Sequence, residues 1–181
     1  GCGFIGLFYA EKVLELNFYD NLFLVDLHEP LDEYCKKKYQ KLLTSNNVKF
    51  IKRDIRDNLN DLKVDGKIKV ILNFAAIHRE PGHNPNEYFD TNINGAENIC
   101  NFARNNNCKN IIFTSSIAVY GQGNHIKDEE TITQPTTPYG KSKLSAETIH
   151  INWCNESPQE RILSICRPGV VYGPGEKGNI T

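Results

Sequence analysis

Apolar positions along the chain switch repeatedly between two spacings. Residues 7–17 (LFYAEKVLELN) place them at helical intervals, and NLFLVD (21–26) is a short, nearly continuous apolar run. A run of that kind between polar residues predicts a strand buried on both faces of a parallel sheet. EYCKKKYQKLL (33–43) reads as a helix with a solvated lysine face, and VKFIKRD (48–54) as a strand. KVILNFAA (69–76) predicts a strand, residues 86–106 one long helix, and KNIIFTSS (109–116) a further strand. A helix over 139–154 and a strand over 161–168 complete the series, with no repeat, low-complexity tract or linker. Strand and helix in alternation predict an α/β fold, a doubly wound parallel sheet with helices on both faces.

The first six residues gain meaning from that alternation. GCGFIG sets Gly1, Gly3 and Gly6 at the spacing of a loop whose backbone amides approach a pyrophosphate, and a helix follows directly. Asp26 stands 20 residues after Gly6, at the carboxyl end of NLFLVD. An acid there accepts hydrogen bonds from the adenosine ribose and repels a 2′-phosphate, so the pattern predicts a Rossmann-type domain selecting NAD. A competing reading makes Asp26 the cap of a helix beginning near Pro30.

Composition excludes several classes of function. With 39% apolar and 24% charged residues the chain is an ordinary globular sequence, and its net charge of −1 gives no reason to expect a nucleic-acid partner. No apolar run approaches the roughly 20 residues that span a bilayer, so no membrane partner is expected. Six scattered cysteines without CxxC pairs predict reduced thiols and a cytoplasmic location.

A second constellation carries reaction chemistry. Tyr139 and Lys143 lie four residues apart at the start of a helix, so their side chains emerge on one face. A phenol ionises near pH 10, but a neighbouring ammonium favours the phenolate and makes the pair a base closer to neutrality. Ser116 ends a predicted strand, and ligands gather at the carboxyl ends of strands in open α/β sheets.

These blocks together resemble the extended short-chain dehydrogenase/reductases, in particular the NAD-dependent sugar-nucleotide epimerase/dehydratase family typified by UDP-glucose 4-epimerase. The resemblance runs over the whole chain and rests on GCGFIG, VDL (25–27), RDI (53–55), NFAA (73–76), TNINGAENI (91–99), FTSSIAVYG (113–121), PYGKSK (138–143) and RPGVVYGPG (167–175). It implies that Gly3, Phe4, Ile5 and Gly6 meet the pyrophosphate, Asp26 and Leu27 the adenosine ribose, and Asp54 and Ile55 the adenine. Phe74, Ala75, Ala76, Ile77 and Thr91 match further cofactor contacts, and Pro168 and Gly169 the stretch beside the nicotinamide. Ser116, Tyr139 and Lys143 match the catalytic triad, with Tyr139 and Lys143 also touching the cofactor. For Asp54, a helix N-cap before RDNLNDL is a second, compatible role.

The resemblance also implies a domain plan and a reaction. Residues 1–168 match the NAD-binding domain without its first strand, and 169–181 the start of a substrate-binding region, so the chain reads as part of a longer enzyme. In the strand order 3-2-1-4-5-6 the first strand is the central one. Dehydratases and decarboxylases of the family carry acids where this chain has Ile117 and Ala118, which leaves 4-epimerisation or 4-keto reduction, and the NAD that Asp26 suggests suits 4-epimerisation of a UDP-hexose through a 4-keto intermediate. A 4-keto reductase and a non-catalytic dinucleotide sensor remain as alternatives. Val170 replaces an asparagine that often contacts the sugar nucleotide, and His78, Arg79 and Ser116 are the remaining candidate substrate contacts. No metal site is expected, because His78 and His83 lack a carboxylate or cysteine partner. KDEE (127–130) reads as solvated surface and Trp153 as a residue packed at a helix interface. A nucleotide sugar is the expected substrate, and a homodimer the expected assembly.

Overall fold

The computed structural model describes residues 1–79, 81–123 and 126–176, so the last five residues of the expected 169–181 region lie outside the described residues. The chain divides into two compact units, Gly1–Asp54 with Val170–Thr181, and Ile55–Gly169.

The first unit contains α1 (Phe4–Leu16), β1 (Leu22–Asp26), α2 (Glu33–Leu43) and β2 (Val48–Lys52). The two strands pair in parallel, Leu22 opposite Val48 and Asp26 opposite Lys52. Leu7 and Ala10 of α1, Leu24 of β1, and Cys35, Tyr39 and Leu42 of α2 bury against one another as its core. Helix α1 starts three residues before the apolar repeat does, because a glycine-rich entry carries no periodic signal. Helix α2 starts at Glu33, where the Asp32 carboxylate accepts from the amides of Tyr34 and Cys35 at 2.9 and 3.2 Å. Asp32 is therefore the cap, and Asp26 is not. Lys38 also departs from the expected solvated face: it pairs with Glu11 and lies 4.1 Å over the Phe8 ring.

The second unit contains β3 (Ile71–Asn73), α3 (Pro85–Phe89), α4 (Gly95–Asn105), β4 (Asn110–Thr114), α5 (Pro138–Asn155) and β5 (Ile162–Cys166). Its strands are all parallel in the order β3-β4-β5, with Ile71 opposite Ile111 and Ile111 opposite Leu163. Numbered as in a doubly wound sheet, the two units reproduce the neighbours 3-2 and 4-5-6. Trp153 of α5 is buried with Cys100 and Ala103 of α4, the helix interface its sequence predicts. No helix follows Asp54, whose downstream segment forms turns, so the capping role proposed for it falls away.

The long helix expected over 86–106 is real but not uniform. Asp90–Asn94 form a π-turn between α3 and α4. Its cause is visible in the burial pattern. Tyr88, Asn92, Ala96 and Cys100, each four residues from the next, are all buried. Four residues overshoot one α-helical turn by about 40°, whereas a turn closed by i→i+5 bonds is wider and takes up that excess.

Candidate active site

In the first unit the glycines divide the work of the opening loop. A Cβ on Gly1 would stand 2.1 Å from the Val25 carbonyl oxygen, and one on Gly6 2.3 Å from the carbonyl oxygen of Gly1. These two residues let the loop, α1 and the end of β1 close on each other. Gly3 meets nothing within 4 Å, and as the N-cap of α1 it provides no side chain to satisfy the first amides of the helix. Those amides and the positive end of the helix dipole therefore face open space through Gly3, Phe4 and Ile5, the arrangement a phosphate requires. The Asp26 carboxylate accepts from the Cys2 amide at 2.6 Å, which holds the acid beside the loop. Burial, with Asp26 adding to it, pushes the Cys2 thiol up to about 12, so this cysteine stays neutral. Leu27 is exposed, and the Asp26 carbonyl accepts from the Arg53 amide at 2.9 Å, next to Asp54. Val170 belongs to this unit and is exposed. A loop with an open glycine, an uncapped helix start and an acid at the next strand end fits the adenosine diphosphate portion of a dinucleotide.

The second unit carries the reactive side chains. Helix α5 begins at Pro138, with the Thr137 hydroxyl accepting from the Gly140 amide at 3.1 Å. This cap fixes where Tyr139 and Lys143 leave the helix. Lys143 is 2% exposed, and its ammonium donates to the Thr114 carbonyl at the end of β4 at 2.5 Å, lying 4.4 Å over the Phe113 ring. Burial pushes Lys143 down to about 7, against the opposing pull of Glu147. Ser116, two residues beyond Thr114, accepts from the Ala118 amide at 3.2 Å and starts a 3-10 turn, Ile117–Tyr120. The Ile117 amide donates to the Pro168 carbonyl at 3.1 Å, which brings Pro168 and Gly169 beside that turn. Tyr139 is half-buried with its ring 6.1 Å from that of Tyr88.

The loop after β3 is held by side chains that periodicity could not single out. The Asn92 amide group accepts from the Ile77 amide at 3.1 Å and donates to the Ile77 carbonyl at 3.3 Å and to Ser142 Oγ at 2.8 Å. Asn73 accepts from the Ala75 amide at 3.2 Å, so Phe74, Ala75, Ala76 and Ile77 run along one tethered edge. Thr91 is half-buried one residue before Asn92, and Ile55 packs its side chain over Gly95, leaving no room for a Cβ there. His78 and Arg79 are exposed, and the Arg79 carbonyl accepts from the Tyr88 hydroxyl.

His150, a further turn along α5, is fully buried: Nδ1 donates to the Ala146 carbonyl at 2.7 Å, Nε2 accepts from Asn73 at 3.3 Å, and the ring stacks on Phe113 at 4.2 Å. Burial pushes it from 6.5 down to about 4. The unfolded chain thus binds a proton that the folded chain refuses, and stability falls as the pH drops from 6.5 towards 4. The full interval is worth ~3 kcal/mol. Urea melts of the protein at stepped pH should show this slope, and His150→Gln should flatten it. Glu156, held down to about 2 by Arg104 and Arg161, loses its contribution below that window.

The model of the NAD dependent epimerase/dehydratase family matches residues 1–181. The chain belongs to this family. Among its relatives, an N-acetyl-alpha-D-glucosaminyl-diphospho-ditrans,octacis-undecaprenol 4-epimerase of Escherichia coli O157:H7 is 41% identical over 128 residues, 70% of this chain and 38% of that protein. A bifunctional UDP-glucose 4-epimerase and UDP-xylose 4-epimerase of Pisum sativum is 31% identical over 171 residues, 90% of this chain and 48% of that protein. The crystal structure of a UDP-glucuronic acid 4-epimerase from Bacillus cereus, in complex with UDP-glucuronic acid and NAD, aligns with a TM-score of 0.83 at 25% identity, covering 97% of this chain and 56% of that one. This family member therefore spans half or less of the length of those two curated relatives.

The sequence assigns no role to the side chains that support this candidate site. Asn73, Asn92, Ser142 and Arg167 lie inside the blocks NFAA, TNINGAENI, PYGKSK and RPGVVYGPG without an assigned role, and Glu147 and His150 lie outside every block. One signal was available: Tyr139, Lys143, Glu147 and His150 recur every three or four residues, a polar stripe that turns inward on α5.

Proposed function

We propose that this chain is the NAD-binding part of a sugar-nucleotide 4-epimerase acting on a UDP-hexose through a 4-keto intermediate. Its main support is a buried Lys143 ammonium anchored at the end of β4, one helical turn beyond Tyr139, in a site where Ile117 and Ala118 offer no acid for dehydration. Gly3, Phe4, Ile5 and Gly6 would hold the pyrophosphate, Asp26 and Leu27 the ribose, and Asp54 and Ile55 the adenine. Phe74, Ala75, Ala76, Ile77, Thr91, Pro168 and Gly169 would line the remainder of the cofactor, with His78, Arg79 and Val170 reaching the sugar nucleotide. Bound NAD would supply the hydride acceptor and donor at the sugar C4. Tyr139 takes the proton from the 4-hydroxyl and later returns it, Ser116 hydrogen-bonds the same oxygen, and Lys143 keeps the phenolate at low potential.

Among the described residues no helix is long and apolar enough to cross a membrane, and the six cysteines are unpaired. We place the intact enzyme in the cytoplasm as a homodimer, an assembly that light scattering would measure. The activity test is incubation of the intact protein with NAD and a panel of UDP-hexoses, following inversion at C4 by proton NMR. Inversion is expected; net 4,6-dehydration or reduction without inversion would replace the epimerase reading.

Cofactor choice is tested separately. NAD should bind more tightly than NADP in titration calorimetry. Asp26→Asn should narrow that preference by about tenfold, since ~1.4 kcal/mol of repulsion is removed. The Asn side chain keeps an acceptor for the Cys2 amide, so the loop itself should hold.

A further inference from the structure

Behind Lys143 lies a cluster that the proposed reaction does not use. Glu147 is buried one turn beyond Lys143 on α5, and Arg167, at the exit of β5, grips its carboxylate with two hydrogen bonds of 2.9 and 2.7 Å. The same guanidinium donates to the Tyr120 hydroxyl at 2.8 Å and stands 4.9 Å over the Tyr120 ring. A buried carboxylate without its partner costs far more than the pair is worth, so these contacts are bound to one another.

Each partner belongs to a segment that carries a site residue. Glu147 shares α5 with Tyr139 and Lys143, Tyr120 closes the 3-10 turn that Ser116 begins, and Arg167 immediately precedes Pro168 and Gly169. We propose that Arg167 is a positioning and charge-balancing residue of this site. Through Glu147 and Tyr120 it ties together the three segments bearing Lys143, Ser116 and Pro168, and it cancels the carboxylate that would otherwise face Lys143 uncompensated. The inference rests on the epimerase reading for its kinetic test, and on geometry alone for its spectroscopic one.

The surroundings of Lys143 make the charge logic tractable. On α5 the titratable neighbours are Tyr139, Glu147 and the neutral His150. From β4 come the Phe113 ring and the Thr114 carbonyl, which carry no charge. Asn92, reaching Ser142, and Tyr88, beside Tyr139, approach from the 85–94 segment without charge, while Tyr120 and Arg167 close the far side. Removing Glu147 leaves a net positive charge, which favours the deprotonated form of both Tyr139 and Lys143. Removing Arg167 leaves a net negative charge and does the reverse.

Two readouts on the intact protein, saturated with NAD, test this. One is the pH profile of kcat on the UDP-hexose that it inverts. The other is the ultraviolet absorbance of the Tyr139 phenolate, isolated by subtracting Tyr139→Phe and independent of turnover. Glu147→Gln should slide both to lower pH by about one unit, Arg167→Gln should slide them to higher pH by a similar amount, and the double variant should return them near wild type. Arg167→Lys, which keeps the charge and loses the fork, should leave the pH profile in place and lower kcat by roughly 10–10²-fold with KM little changed. If Arg167→Gln fails to fold, the contrast between Glu147→Gln and Arg167→Lys decides the matter. Single variants that shift together, or not at all, overturn the proposal. Opposite phenolate shifts in a protein that inverts no UDP-hexose would uphold it while refuting the epimerase reading.

Discussion

Tyr139→Phe should leave melting temperature and NAD affinity close to wild type while cutting turnover by roughly 10²–10⁴, the usual loss for a positioned general base. The substitution removes one oxygen from a half-buried ring and keeps the ring's contact with Tyr88 at 6.1 Å. Lys143 is held by the Thr114 carbonyl and the Phe113 ring, so its position does not depend on the phenol. Among the described residues beside Ser116, Ile117 and Ala118 are apolar, His150 is committed through both ring nitrogens, and the Lys143 nitrogen is held on the Thr114 carbonyl. Steady-state kinetics on the intact enzyme beside calorimetry of NAD binding would measure the two effects. A variant that keeps wild-type kcat would remove Tyr139 from the mechanism.

Gly140→Ala should lower kcat by about 10²-fold and also lower the melting temperature. Helix propensity alone argues the opposite sign, because alanine is favoured over glycine inside a helix by ~1 kcal/mol. Packing decides otherwise. A Cβ at Gly140 would stand 2.6 Å from the Ala118 carbonyl oxygen and 3.1 Å from Pro135 Cβ. The obstacle is backbone, which cannot swing aside as a flexible side chain would, so the first turn of α5 must lift off the 3-10 turn. Tyr139 is carried on that first turn, and Ser116 begins the turn it would lift from. Displacement of about 1 Å between such groups is enough for the expected loss. Kinetics paired with thermal melts provide the check, and an alanine variant with unchanged kcat would show that this contact does not set the geometry of Tyr139.

Much of this was legible in the residues, for reasons that differ from place to place. Continuous apolar runs such as NLFLVD announce themselves because both faces of a parallel strand are covered. Tyr139 and Lys143 were legible because four-residue spacing translates directly into one helical face. The segment following Asp54 carries no period, and an aspartate before it suggested a helix that the chain does not form. On sequence alone Asp26 offers itself as a cap; the start of α2 at Glu33 gives that role to Asp32 instead. The Arg167–Glu147–Tyr120 cluster stayed hidden because its members are 20 and 47 residues apart, and no local pattern encodes such a meeting. The π-turn was hidden for another cause. A buried position at every fourth residue, one of them the polar Asn92, is compatible with an α-helix over two turns and drifts off-axis only over a third.

That π-turn makes the length of the segment more exacting than its spelling. Deleting a single residue from Asp90–Asn94 would allow an uninterrupted α-helix with every backbone bond intact, so the lesion would be invisible to circular dichroism. It would leave α3 close to its present phase against α4, because the wider turn already absorbs one residue, whereas an inserted residue would rotate α3 by about 100°, the angular step of one helical residue. After such an insertion Tyr88 would leave the Tyr139 ring and the Arg79 carbonyl, while Ala96, Cys100 and Ala103 kept their places in the core. The stretch therefore behaves as a counted spacer between a helix that serves the core and a turn that serves the chemistry: tolerant of exchange at Asn94, which is exposed, and intolerant of added residues anywhere within it.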